Sequence, residues 1–254
     1  MHYLIGFIIA MFIALTGVGA GTITTPLLIL FLGVPTSIAV TTGLVFAASV
    51  KLLLVPTQIL RKQVAWKVLG WMLLGGLPGV LLGSFFLAHL VSKGSQHFMN
   101  ALLGAVLVGT AIYQIFYSFR PIKNPREITR DAPWAMPLLM FPVGAEVGFS
   151  SAGAGALGTA ALLSLTTLPP AQVVGTDILF GFLVAVIGSG VHMFNGAHDT
   201  QLLKELIIGG IGGVIVGTVS AKFIPKRPLR FALWVWLLII GVQFLYTNMI
   251  SVAK

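Results

Sequence analysis

The sequence predicts an all-α, polytopic membrane protein of two inverted-topology repeats. Each repeat holds three long transmembrane helices and a glycine-broken pair of short helices. Three observations carry that prediction: an apolar composition, ten apolar segments with basic residues between them, and a self-similarity at a fixed offset. Of 254 residues, 57% are hydrophobic and 8% charged, with a mean hydropathy of +1.02. Soluble domains carry about 25% charged residues, so this chain lacks the polar groups to cover a water-facing surface. That excludes a cytosolic enzyme, a nucleic-acid-binding domain and a disordered chain. With no cysteine, disulfides, iron–sulfur clusters and thiol chemistry are excluded as well. Thirty glycines and thirteen prolines in so apolar a chain suggest close-packed or interrupted membrane helices.

In chain order, the first two apolar segments, 3–16 and 21–33, are short and are joined by Gly17-Val18-Gly19-Ala20-Gly21. Met1-His2-Tyr3 carries no Lys or Arg, so it lacks the basic start of a cleavable signal peptide and the N-terminus is expected to be retained. Three longer runs follow at 38–57, 66–91 and 97–119, each able to span as a helix. The longest polar stretch, Arg120–Asp131, then separates two halves, 1–119 and 134–254, with 120–133 as a basic linker. The second half opens on another short pair, 134–147 and 154–168, joined by the glycine- and serine-rich stretch 148–155. It closes with 172–194, 203–224 and 229–250. A segment of 13 to 15 residues reaches roughly 20 Å, short of a hydrocarbon core of about 30 Å. Each short pair is therefore a re-entrant hairpin, two thin tilted crossings or one broken helix.

The placement of Lys and Arg chooses among these. If each pair begins and ends on one side, that arrangement puts Arg61, Lys62, Lys67, Arg120, Lys123, Arg126, Arg130, Lys222, Lys226, Arg227 and Arg230 on one face. Lys93, Lys204 and Lys254 lie on the other, a split of 11 to 3. One broken crossing per pair gives 9 to 5. The positive-inside rule prefers the first and makes the basic face cytoplasmic, with both termini outside a cell membrane. Hairpins and thin crossings share this parity.

An offset of 134 residues aligns the halves without a gap. Between 17 and 46, nine of thirty positions are identical, among them Gly19/Gly153, Gly21/Gly155, Thr25/Thr159, Pro35/Pro169, Thr42/Thr176 and Phe46/Phe180. A second block pairs Gly75/Gly209, Gly76/Gly210, Gly79/Gly213 and Gly83/Gly217. Shared apolar composition does not readily put glycine, proline and threonine in one register, so internal duplication is the better account. Three long helices and a hairpin make an odd number of crossings, which inverts the second half. Inverted repeats with interrupted helices are the architecture of secondary transporters, whose substrate sits at the repeat interface.

These residues carry a family resemblance. Gly17-Val18-Gly19-Ala20-Gly21 with Pro26-Leu27-Leu28, then Gly33-Val34-Pro35 and Ala39-Val40-Thr41-Thr42, resembles the first signature of the sulfite exporter TauE/SafE family. Gly153-Ala154-Gly155, Leu168-Pro169 and Val173-Val174-Gly175-Thr176-Asp177 repeat it, and Leu77-Pro78-Gly79 to Gly83 is similar as well. Ala20 departs from a position where that family often has glycine. The resemblance implies transport of sulfur-containing anions such as sulfite, sulfoacetate or other organosulfonates.

Read from the residues, the glycine-rich breaks are the candidate anion site. Backbone freed from helical pairing at membrane depth is tolerated where it lines a cavity or is buried in protein. Helix N-termini after a break offer N–H groups and partial positive charge to an oxyanion. Gly19, Gly21, Gly153 and Gly155 leave the backbone accessible; Thr22, Thr24, Thr25, Ser150, Ser151 and Thr159 could add hydroxyls, and the repeated Thr42 and Thr176 are counted with them. Small-residue helix packing is the competing reading. Few ionisable residues lie inside the apolar segments, and such residues are functional candidates by default. Lys51 and Asp177 reach similar depth, roughly 8–9 Å in from the basic face, and are candidates for a gating or anion-relay pair. A snorkelling Lys51 and a capping Asp177 are the alternative. Glu146, opposite Phe12 in the repeat, is costly to keep charged at its depth, which suits proton coupling. A structural carboxyl accepting backbone N–H bonds is equally compatible. His192, opposite Gln58, is read as an interfacial polar residue with a proton role as the other option.

Rival classes fit less well. The serines of 148–153 lack the GxSG form of a rhomboid-like protease, and Asp177 is the only membrane aspartate, so an enzyme is not expected. Anionic and His ligands are too few for a typical metal-ion cargo, and no cofactor is expected. A passive anion channel is the runner-up. The expected partners are a small anion and the lipid bilayer, with protons as a candidate coupling ion and no nucleic acid; a homodimer is compatible with the sequence.

Overall fold

The computed structural model describes residues 2–16, 19–93, 96–118, 132–153, 155–196, 198–220 and 226–252. The 120–131 part of the expected linker lies outside them, as do Gly17 and Val18 of the first break and Ala154 of the second. Among the described residues there is no strand. The ten helices are α1 His2–Thr16, α2 Ala20–Leu32, α3 Thr36–Leu60, α4 Trp66–Ser92, α5 Gln96–Ser118, α6 Met136–Ser150, α7 Ala156–Leu165, α8 Pro170–Phe194, α9 Thr200–Ser220 and α10 Lys226–Val252. Six contain stretches long and apolar enough to cross a membrane: α3, α4, α5, α8, α9 and α10. The other four, α1, α2, α6 and α7, have 10 to 15 residues.

Helix starts and stops follow local chemistry. Pro35 and Pro169 precede α3 and α8, where a missing N–H costs nothing. Gly33 ends α2 in the left-handed conformation, φ 63°, and its N–H returns to Ile29 O as an αL cap, with Val34 N–H on Leu28 O.

Two stripes of small residues decide the packing. On α4, a Cβ at Gly75, Gly79 or Gly83 would overlap the backbone of Pro137, Phe141 and Ala145 in turn on α6. On α9, Gly209, Gly213 and Gly217 meet the backbone of Tyr3, Phe7 and Met11 on α1 in the same way. Lipid tails are as apolar as Leu, so membrane helices associate largely through such close van der Waals contact. Both pairs run parallel, because the numbers rise together. The central pair, α3 and α8, runs antiparallel: Gly188 faces Leu44, while Gly175, nearer the start of α8, faces Gln63 just beyond the end of α3. α5 and α10 are antiparallel too, with Gly104 against Phe244 and Leu245 and Gly241 against Val108.

These directions place the starts of α4, α6 and α8 at one end of the bundle, here the Arg61 end. The starts of α1, α3 and α9 lie at the other, the His2 end. The α6–α7 pair is a hairpin, since Ala132 N–H, ahead of α6, donates to Leu165 O at the last residue of α7, 3.0 Å away. α3 and α8 form the heart of the bundle, their apolar windows each 61% buried against 28% for α10. Large apolar side chains such as Leu138, Phe194, Ile208, Ile215 and Ile239 stand exposed around the periphery, as expected of a lipid-facing surface.

Candidate functional site

The connection that ends α6 and starts α7 is held by its own side chains. Ser151 adopts a left-handed conformation, φ 59°, and its N–H returns to Val147 O at 2.8 Å. A non-glycine residue pays about 1–2 kcal/mol for that conformation, so contacts must hold it there. One is the hydrogen bond between Ser151 Oγ and Thr25 Oγ1 of α2, 2.6 Å long, in which either hydroxyl can donate. Ser150 Oγ donates to Glu146 O at 2.9 Å and accepts from Ala152 N–H at 3.2 Å, so it is engaged within its own turn. Gly153, φ 91°, lies against the Glu146 carboxyl, whose Cδ would stand 3.0 Å from a Cβ there.

The α1–α2 and α6–α7 connections meet. Gly21 leaves the space that Ser151 fills, and Gly43 of α3 makes room for the hydroxyls of Thr25 and Ser151. A Cβ on Gly19 would lie 3.3 Å from Gly155 N. Gly19 O accepts both the hydroxyl of Thr22 and, at 3.2 Å, its N–H. Thr22, Thr24, Thr25, Ser150 and Ser151 are all buried. The expected residues Gly19, Gly21, Thr22, Thr25, Ser150, Ser151, Gly153 and Gly155 thus lie around one junction.

Others fall elsewhere. Thr176 accepts from Ala65 N–H at 2.9 Å and fixes the α3–α4 turn at the Arg61 end, outside the junction. Its repeat mate Thr42 is buried and its hydroxyl has no hydrogen-bond partner. His192 is buried, with Nε2 2.8 Å from Gly148 O, so Nε2 carries a proton and ties α8 to the end of α6. The contact was not legible in the sequence, because α6 passes beside that end of α8 and lies far away in the chain.

Lys51 of α3 and Asp177 of α8 are both buried, and no ion pair within 4 Å joins them. Asp177 Oδ2 accepts the hydroxyl of Thr159 at 2.9 Å, while Oδ1 is buried without a partner. Glu146 accepts a short hydrogen bond from Thr110 on α5. One turn further along α5, the amide nitrogen of Gln114 is buried without a partner. Thr110 and Gln114 escaped the sequence reading; four-residue spacing on an otherwise apolar helix is the signal that places them on one face. Arg230 was counted only toward topology, yet its Nε donates to Thr16 O, the last residue of α1, at 2.6 Å. Among the described residues no three His, Asp or Glu side chains converge on a point. An apolar cleft of about 190 Å³ between α3 and α9, lined by Phe46, Val50, Leu53 and Ile211, carries no titratable group and lies apart from the junction.

A bundle of apolar helices with a buried polar junction defines a multi-pass membrane protein. The family model described as "Sulfite exporter TauE/SafE" matches residues 3–244, and the chain belongs to that family as a membrane transporter. The probable membrane transporter protein YjnA of Bacillus subtilis is 32% identical over 258 residues, covering 95% of this chain and 98% of that protein. The probable membrane transporter protein YdhB of the same organism is 24% identical, covering 96% and 98%. No solved structure matches.

Proposed function

We propose that this chain is a secondary transporter of a small sulfur-containing oxyanion, sulfite or an organosulfonate such as sulfoacetate. It works by alternating access between two inverted repeats, 1–119 and 134–254. The observation that carries the reading is the junction, where the interruptions of both halves meet in the buried interior as Gly19 with Gly155, Gly21 with Ser151 and Thr25 with Ser151. Glycine there lets a ligand approach the main chain, and the start of α7 directs N–H groups at the same region. Membership of the sulfite exporter family suggests the sulfur-oxyanion class.

The packing supports the inverted repeat. Adding 134 to one number of a contacting pair and subtracting it from the other turns Gly75–Pro137 into Gly209–Tyr3, Gly79–Phe141 into Gly213–Phe7 and Gly76–Phe180 into Gly210–Phe46. Corresponding helices α3 and α8, and α5 and α10, run antiparallel, as an axis in the membrane plane requires. Paired contacts of this kind let the halves rock without either losing its partners. Glu146 with Thr110 has no polar equivalent at Phe12 and Phe244, so this one-sided carboxyl is assigned to proton coupling. Of the two orientations, the basic Arg61 end is assigned to the cytoplasm and the membrane is taken as the cell membrane.

The test is uptake of radiolabelled sulfite into proteoliposomes. Saturation at micromolar to millimolar sulfite with counterflow against internal sulfite is expected, and Gly21→Val should abolish both, since Ser151 occupies the space a side chain would need. Large, non-saturating currents without counterflow would replace the carrier by a channel.

A further inference from the structure

We propose that Asp177 is a second proton-carrying carboxyl, so that two protons travel with each sulfite dianion and the transport moves no net charge. This rests on the oxyanion reading and the proton role of Glu146 above, and adds the charge form of the cargo. Both carboxyls are fitted against the backbone at the start of α7. A Cβ at Gly153 would lie 3.0 Å from Cδ and Oε2 of Glu146, and one at Gly158, in the first turn of α7, would overlap Oδ1 of Asp177. Each carboxyl accepts one threonine hydroxyl from a neighbouring helix. Glu146 of α6 takes that of Thr110 on α5, and Asp177 of α8 takes that of Thr159 on α7 at 2.9 Å. Both limbs of the α6–α7 hairpin are thereby tied to the bundle through a carboxyl.

Neutral groups serve such a tie equally well, as Thr25 with Ser151 shows. The surroundings point to a proton. Asp177, at 5% exposure, has Oδ1 buried without a partner, and among the described residues no cation lies within 4 Å of either carboxyl. Around Asp177, α3 brings Lys51, α4 the exposed Lys67 and His89, α6 Glu146, and α7 no titratable group. Around Glu146, α5 brings the exposed His97 and Tyr113, and α8 brings Asp177 and His192, whose Nε2 is held on Gly148 O. A carboxylate so placed is poorly compensated as an anion; a proton bound to one oxygen makes it neutral. The repeat shows that space is made for this carboxyl. Position 177 is Asp where its 134-related mate, 43, is Gly, while 158 is Gly where its mate, 24, is Thr. Bulk is moved from α7 to α8, and Glu146 likewise stands where the first half has Phe12. The first half packs without either group, so the titratable ties belong to one hairpin and to its movement. Each carboxyl takes one proton on the side where the anion enters and releases it on the other.

The experiment is a null-point measurement with radiolabelled sulfite in proteoliposomes whose membrane potential is clamped by valinomycin and potassium. The pH gradient that just stops net flux is read against set gradients of the sulfite dianion. In the parent, about half a pH unit should balance a tenfold gradient, and the clamped potential should leave that point unchanged. At zero potential Asp177→Asn should need about one pH unit. Its null point should also move with potential, because one charge then crosses with each anion. A parent null point at about one pH unit or beyond, or one that moves with potential, overturns the proposal. So does an Asp177→Asn protein that keeps the parent's null point. If Asp177→Asn does not fold by thermal unfolding, Asp177→Gly with Gly158→Thr, the pairing of the first half, takes its place with the same expectation. A parent that carries no sulfite overturns the oxyanion reading itself, and the proposal with it.

Discussion

Glu146 shows how a single side chain can be pinned by structure and still suit a function. Its carboxyl accepts from Thr110, lies over Gly153, and shares a face of α5 with the unpartnered amide of Gln114. Among the described residues no backbone N–H of the interrupted segment donates to it, and the Ser150 hydroxyl takes the Ala152 N–H. A carboxyl with one hydroxyl donor and no cation beside it is poorly compensated as an anion. If it carries the coupled proton, proton-driven sulfite uptake in the parent should rise as external pH falls. Glu146→Gln should flatten that dependence while sulfite counterflow, which needs no net proton movement, persists within about threefold. Initial rates between pH 5.5 and 8 measure both, and an undiminished pH dependence in Glu146→Gln would remove the coupling role.

At the scale of helices, the stripes on α4 and α9 are the features on which packing depends most. Gly79 faces the carbonyl of Phe141 and the N–H of Ala145, so any side chain must push two backbones apart. Gly79→Val should lower stability by about 3 kcal/mol or more, at the upper end of overpacking costs. Gly109→Ala, at a position with nothing within 4 Å, should be neutral or gain up to about 1 kcal/mol from reduced chain entropy. Thermal unfolding in detergent compares the two, and equal behaviour would remove the stripe from the account. The elements were largely legible in the sequence, because apolar runs bounded by glycine, proline and charge mark helices directly. The expected 38–57 and 66–91 became Thr36–Leu60 and Trp66–Ser92. The expected 154–168 shrank to Ala156–Leu165, since hydropathy continues through Thr166–Pro169 while Pro169 and Pro170 cannot extend a helix. Gly19, Gly21 and Gly155 stand out in the sequence, and the structure puts Gly19 against Gly155 and Gly21 against Ser151. Arg230 on Thr16, His192 on Gly148 and Thr110 on Glu146 were not, because each joins helices far apart in the chain, and periodicity reports only which face a residue shares with its own helix.

For the whole molecule, the decisive property is the direction of the second half relative to the first. Arg61 and Asn195 are related by the 134 offset, both follow the last residue of a central helix, α3 or α8, and both are exposed. Because α3 and α8 run antiparallel, the two residues stand at opposite ends of the bundle. Two parallel copies would put them at the same end. The chain has no cysteine, so single-cysteine variants can be read without background. In intact cells, Asn195→Cys should react with a membrane-impermeant maleimide, while Arg61→Cys should react only after permeabilisation. Lys93→Cys, in the α4–α5 turn, should follow Asn195→Cys. Labelling of Arg61→Cys and Asn195→Cys from one side would remove the inverted repeat, and with it the geometric basis for two alternating openings. Labelling from opposite sides with the order reversed would leave the fold intact but turn the basic end outward.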